Sequence, residues 1–201
     1  MRSLGFSALS LAILLLSGVS LQAQEQGILH LLVGDVRVDG KKAVPGMKIE
    51  QGVTVETGET SIAEIRYGHD TGLRIREKSR VKIDRPASAY RIFLAHGTLL
   101  SLVKHKTNFE VQTPITTAGV RGTFFFVQVP DDTTTYVCTC NGTVEIRDRD
   151  RVLKRVSAPH HEPYGLRGRP GHLTLEPQGM LDHTDIEIFE QRYRLEKEGG
   201  P

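Results

Sequence analysis

From about residue 28 to residue 156 apolar and polar side chains alternate in short runs, as in Asp35-Val36-Arg37-Val38, Ile62-Ala63-Glu64-Ile65-Arg66 and Leu73-Arg74-Ile75-Arg76. A period of two is that of strands with one buried face. Asp39-Gly40, Pro45-Gly46, Thr57-Gly58 and Asn141-Gly142 punctuate the runs with turn chemistry, and no stretch between them is long and periodic enough for a helix. The body therefore reads as all-β, a compact two-layered structure of sandwich type, with β-helix-like stacking as the alternative. A glycine followed by alternating apolar positions recurs at Gly34-Asp35-Val36, Gly97-Thr98-Leu99 and Gly142-Thr143-Val144. The uneven spacing argues against a solenoid, so the recurrence reads as hairpins or stacked turns.

The alternation fades after Val156. His160-His161-Glu162-Pro163 and the glycine-rich stretch from 165 to 171 read as loop. Thr184-Asp185-Ile186-Glu187 is a capping box, and Ile186, Phe189 and Tyr193 follow at helical spacing. A terminal amphipathic helix over about 184–197, docked on the body through that stripe, is expected. The division is a β domain over 24–156 and a loop-rich tail with the helix over 157–201.

Residues 1–23 add a compartment. Arg2 precedes an uncharged apolar run over 4–21, and Ser20-Leu21-Gln22-Ala23 has the small residue of a signal-peptidase site. Cleavage after Ala23 and a periplasmic mature chain are expected; the chain is a membrane protein only if that segment stays uncleaved. With 26 basic against 24 acidic residues the formal charge is +2, so no global field favours nucleic acid. An apolar fraction of 38% supports an ordinary core, and two cysteines are too few for a disulfide-stapled scaffold.

The stretch Val111-Gln112-Thr113-Pro114-Ile115-Thr116-Thr117-Ala118-Gly119-Val120-Arg121-Gly122-Thr123-Phe124-Phe125-Phe126-Val127 closely resembles the signature of FecR domains. Gly52-Val53-Thr54-Val55-Glu56-Thr57-Gly58 with Ala63-Glu64-Ile65 resembles that family's opening strands, and Tyr136-Val137-Cys138-Thr139-Cys140-Asn141-Gly142-Thr143-Val144 its strand-Gly-strand hairpin, so the resemblance runs from about Gly34 to Ile146. Within the signature Pro114 stops strand pairing, Gly119 and Gly122 admit backbone conformations barred to other residues, and Arg121 offers a donor fork to loop carbonyls. The resemblance implies an extracytoplasmic β domain that contacts another envelope protein or an envelope polymer. The family's best-known members also control a sigma factor through a cytoplasmic segment. Only Met1, Arg2 and Ser3 precede the apolar run here, so direct anti-sigma activity is not expected.

Cys138 and Cys140 lie two apart on a strand and so share a face. On a regular strand their Cβ atoms are about 6 to 7 Å apart, whereas a disulfide needs about 3.5 to 4.5 Å. Two thiolates so placed can converge on one ion, and His160, His161 and His183 could complete its shell if the tail folds back beside the strand. The expected metal site is thus Cys138, Cys140, His183 and one or both of His160 and His161, holding zinc or copper. His172, Tyr164, Met180 and Asp185 are supporting or alternative donors. The rival readings are thiol redox work by the two cysteines and a purely structural role. Haem attachment is excluded because Cys138-Thr139-Cys140-Asn141-Gly142 lacks the Cys-x-x-Cys-His pattern. Hydrolase, metalloprotease and nucleotide-binding motifs are missing, so no enzyme is expected. Arg147-Asp148-Arg149-Asp150-Arg151 alternates sign and reads as a solvated hairpin tip.

Overall fold

The computed structural model describes residues 26–84, 89–104, 108–120, 122–181 and 183–197. The signal segment and Arg121 lie outside them, and so do the side chains of Ile186, Phe189 and Tyr193. Sixteen strands and one helix follow in order. They open with β1 (Gly27–Val33), β2 (Val36–Val38), β3 (Lys41–Lys42), β4 (Lys48–Ile49), β5 (Thr54–Thr57), β6 (Ile62–Tyr67), β7 (Thr71–Ile75) and β8 (Arg80–Asp84). The chain continues through β9 (Tyr90–Val103), β10 (Phe109–Gln112), β11 (Thr117–Val120), β12 (Thr123–Asp131), β13 (Thr134–Asp148), β14 (Arg151–Ala158), β15 (Glu162–Arg169) and β16 (His172–Pro177), and ends in α1 (Asp185–Lys197).

The strands form two layers joined by two long strands. Sheet A runs β16-β15-β13-β12-β9-β7-β6-β1-β4 and is antiparallel throughout. Sheet B runs β3-β2-β5-β8-β9-β10-β11-β13-β14, with β9 and β10 its parallel pair. β9 enters in sheet B and leaves in sheet A, and β13 crosses the other way. The inner faces meet in one core to which Leu29, Ile65, Leu99 and Phe125 come from sheet A and Val55, Ile92, Val111 and Ile146 from sheet B. The sandwich reading holds, and the core excludes the stacked alternative.

Three recurring glycines are the corners of this sandwich, not hairpins. At Gly34 the chain leaves β1 for β2, at Gly97 β9 changes sheet, and at Gly142 β13 does. Each has a left-handed φ, of 76°, 93° and 107°. Each lies against a buried hydroxyl residue, Ser61, Ser79 and Thr123 respectively. That hydroxyl accepts the backbone N–H that follows the glycine: Asp35 N–H to Ser61 Oγ at 3.0 Å, Thr98 N–H to Ser79 Oγ at 2.8 Å, and Thr143 N–H to Thr123 Oγ1 at 3.1 Å. A strand that turns between layers leaves its ladder for one residue, and the hydroxyl takes the place of the missing acceptor. Tyr136 to Val144 is therefore one continuous strand that changes layer at Asn141-Gly142, where the resemblance implied a hairpin. Gly119 needs no special φ; its missing side chain makes room for the Arg147 guanidinium, 3.2 Å from where a Cβ would stand.

The β body does not end at Val156. β15 pairs with β13, and β16 with β15, so sheet A extends to Pro177. The glycines of this stretch signal close approach as much as turning. A Cβ at Gly165 would meet Gln178 at 2.6 Å, and one at Gly168 the His172 carbonyl at 2.3 Å. Arg149 and Asp150 do form the expected tip between β13 and β14.

Period-two alternation sends Leu100, Phe126, Tyr136, Cys138 and Cys140 to the outer face of sheet A, where they form a second apolar cluster. α1 covers this face. Thr184 caps the helix as expected, its Oγ1 accepting the Glu187 N–H at 3.4 Å. The Glu187 carboxylate does not close the box but accepts from Arg74 at 3.3 Å. Arg194 donates twice to Glu64, both at 2.9 Å, and Arg74 donates to the same carboxylate at 2.6 Å. Arg74 and Glu64, outward-facing residues of β7 and β6, are about 5% exposed in consequence. Among the described residues no helix is long and apolar enough to cross a membrane.

Gly97→Ala, whose Cβ would stand 2.5 Å from the Ser79 Cα, should abolish cooperative folding, whereas Gly52→Ala, with nothing within 4 Å, should cost only the φ penalty of about 1–2 kcal/mol. Urea denaturation distinguishes them, and equal losses would refute the corner assignment. Glu64→Gln leaves Arg74 and Arg194 only the more exposed Glu187 and Glu190 carboxylates and should lower stability by about 3 kcal/mol; a loss below about 1 kcal/mol would show that the cluster is solvated.

Candidate metal centre

Cys138 and Cys140 are presented by β13 on the outer face of sheet A, and both are free thiols, at 0% and 4% exposure. β14 returns along β13, and the turn after it brings His161 back beside the sulfurs. Asn141, which follows Cys140, pins that turn by donating to the Pro159 carbonyl at 3.0 Å. His183 arrives from the segment before α1. Its ring stacks on Phe126 with centroids 4.1 Å apart, and Tyr136 Oη accepts the Leu181 N–H at 3.1 Å. The tail thus reaches the strand as the sequence required.

Four donor atoms meet within 4.8 Å of one another: the sulfurs of Cys138 and Cys140 and one nitrogen from each of His161 and His183. Cys138 Sγ and His161 Nδ1 are 3.6 Å apart, Cys140 Sγ and His183 Nε2 3.4 Å, and the two imidazole nitrogens 3.2 Å. The remaining nitrogens are committed elsewhere. His183 Nδ1–H donates to the Leu181 carbonyl at 2.6 Å, and His161 Nε2–H donates to Asp185 Oδ1 at 2.8 Å. A carbonyl can only accept, which fixes the His183 tautomer, and the carboxylate does the same for His161. In their neutral forms both imidazoles then point lone pairs at each other across 3.2 Å. Either a proton on one imidazole, which can then donate to the other, or a metal ion among the four donors relieves that opposition.

The charges agree. A hydrogen bond from Cys140 holds the Cys138 thiol well below its usual range against the effect of burial, with His183 and His161 adding to the pull. That same pairing, with burial, drives Cys140 up, so the two sulfurs together shed one proton readily and keep the other. Burial draws the His161 imidazole down, but Asp185 and the Cys138 sulfur outweigh it and leave its pKa raised. Asp185 is held below the usual carboxylate range by His161.

His160 is not drawn into this quartet. Its side chain is 69% exposed, and its Nε2 lies 3.4 Å from Asp185 Oδ2, so it belongs to a small solvent-facing group with His161 and Asp185. His172 sits on the far strand β16 and Tyr164 on β15, where its hydroxyl donates to Glu162. The contributions of Asn141, Phe126 and Tyr136 are not evident from pattern alone. Asn141 carried a signal in its place directly after Cys140, and Phe126 in flanking, with Phe124, the inward Phe125 of an apolar triplet.

Residues 53–145 match the family model described as FecR protein. That segment contains Cys138 and Cys140 but neither His161 nor His183. No curated protein matches the sequence. Among solved structures, two of a candidate anti-sigma factor from Parabacteroides distasonis superpose with a TM-score of 0.53 each. One is 12% identical and covers 71% of this chain and 73% of its own; the other is 14% identical and covers 70% and 74%. At that identity the likeness establishes the fold. Residues 53–145 of the β body thus resemble a FecR domain.

Proposed function

We propose that this protein is an exported, non-catalytic FecR-like sensing module of the bacterial envelope that holds one zinc ion between Cys138, Cys140, His161 and His183. The observation that carries the reading is the 3.2 Å approach of two imidazole nitrogens whose other nitrogens are both already donating. Tetrahedral zinc, with about 2.3 Å to sulfur and about 2.05 Å to nitrogen, gives S···N edges of about 3.6 Å and an N···N edge of about 3.3 Å. The distances of 3.6, 3.4 and 3.2 Å between the donors support that shell. Asp185 and the Leu181 carbonyl orient the imidazoles as such partners do at zinc sites. Four protein donors close the shell and leave no position for a substrate, which favours a structural or regulatory ion over a catalytic one. Burial of both sulfurs beneath α1 runs against exchange with an outside thiol and hence against the redox reading.

A FecR-like body with an apolar outer face suits contact with another envelope protein, and the apolar run at residues 4–21 suits export to the periplasm. Two of the proposed ligands, Cys138 and Cys140, lie within the FecR-matched segment and two, His161 and His183, beyond it, so the ion would join the matched body to the chain that follows.

The full chain, reduced and titrated with zinc, should bind one ion, with Cys138→Ser or His183→Ala lowering affinity more than about 100-fold and Asp185→Asn about 10- to 100-fold. His160→Ala should leave it unchanged. Elemental analysis and competition with a chromophoric chelator provide the readout. Absence of stoichiometric metal with both thiols free and inert would overturn the reading, and one copper(I) per chain in preference to zinc would correct the metal.

A further inference from the structure

The quartet is divided unequally between body and tail. Cys138 and Cys140 stand on β13, deep in sheet A, and His161 on a turn tied to β13 by Asn141. The fourth donor, His183, lies one residue before the cap of α1, and Asp185, which orients His161, is the first residue of the helix itself. The helix therefore both completes the shell and locks one of its other members. Its far half is held by a different device, Arg194 on Glu64, and its first turn also by Arg74 on Glu187. Between these anchors Ile188 packs on the cluster that contains Leu100, Phe126 and Tyr136, and Gln191 Nε2 donates to the Leu100 carbonyl at 3.5 Å.

Resting on the zinc reading, we propose that the ion is the clasp of a lid: its occupancy sets whether α1 stays docked and so whether the apolar outer face of sheet A is covered or open to a partner protein. A helix of 13 residues is marginal by itself in water, so docking decides whether it persists. Among its described side chains, Glu187, Glu190 and Arg194 make ionic docking contacts and Ile188 packs on the apolar cluster. Removal of the ion removes the bonds that tie His183 to the two sulfurs and to His161, and of the four donors His183 is the one borne on the segment next to α1. His183 leaves together with the ring that covers Phe126. The body would keep three donors and an open fourth position, so the open state can recapture the helix without losing zinc. Coupling is reciprocal: a partner that binds the Phe126 and Tyr136 face displaces α1 and weakens zinc binding by the same factor.

The test is hydrogen–deuterium exchange on the full chain, zinc-loaded and after chelation, with zinc content measured in each sample. Amides of 185–197 should lose protection by at least about tenfold on chelation, while β7 and β9 remain protected. His183→Ala at saturating zinc should bind the ion yet show an exposed helix whether or not zinc is present. Arg194→Gln, which removes the other anchor, should fold and make the zinc dependence larger. Stoichiometric zinc with unchanged helix protection would overturn the clasp and leave the metal site standing. Failure to bind zinc at all would overturn both.

Discussion

Two imidazole nitrogens at 3.2 Å, each with its partner nitrogen already donating, form the constraint around which this molecule is arranged. Lone pairs so opposed in a buried place need a proton or a metal ion between them, and a metal ion is the occupant we propose. Every element nearby serves that approach. β13 supplies two sulfurs on one face, Asn141 pins the turn that returns His161, Phe126 stacks beneath His183, and the first residue of α1 holds His161 in its tautomer. A zinc ion is the simplest occupant that uses all four donors at once.

The sandwich explains why the sulfurs face outward. β13 crosses from sheet A to sheet B at Gly142, and before the crossing Val137 points into the core while Tyr136, Cys138 and Cys140 point away from it. The crossing depends on the pairing of a left-handed glycine with a hydroxyl acceptor, a device the chain uses three times. The FecR-like match extends through the crossing to residue 145 and stops before the histidines. The FecR-matched segment thus carries the thiols, and the following strands and helix bring the remaining donors to it.

Much of this was legible in the residues. Period-two alternation gave the strands, the Thr184 cap gave the helix to within a residue, and the same-face placement of Cys138 and Cys140 with distant histidines pointed to the quartet. Other parts were hidden for physical reasons. Glu64 and Arg74 read as solvated strand faces because pattern shows which side a residue is on, not what later covers that side; α1 buries them. The stretch 162–177 read as loop because its glycines look like turn signals, although Gly165 and Gly168 mark places where another chain segment passes within a Cβ radius. The recurring Gly34, Gly97 and Gly142 were visible as a pattern, but their meaning as corners required the hydroxyl partners, which lie 18 to 27 residues away in the chain. Between His160 and His161 sequence could not choose, since adjacent residues at the end of a turn face opposite ways and only the fold decides which one turns inward.

The central claim is the donor set, and X-ray absorption at the zinc edge of the full-length zinc-loaded chain addresses it most directly. The account predicts a four-coordinate ion with two sulfurs at about 2.3 Å and two imidazole nitrogens at about 2.0–2.1 Å. A shell of oxygen and nitrogen alone, or one with a single sulfur, would place the ion elsewhere and contradict the account.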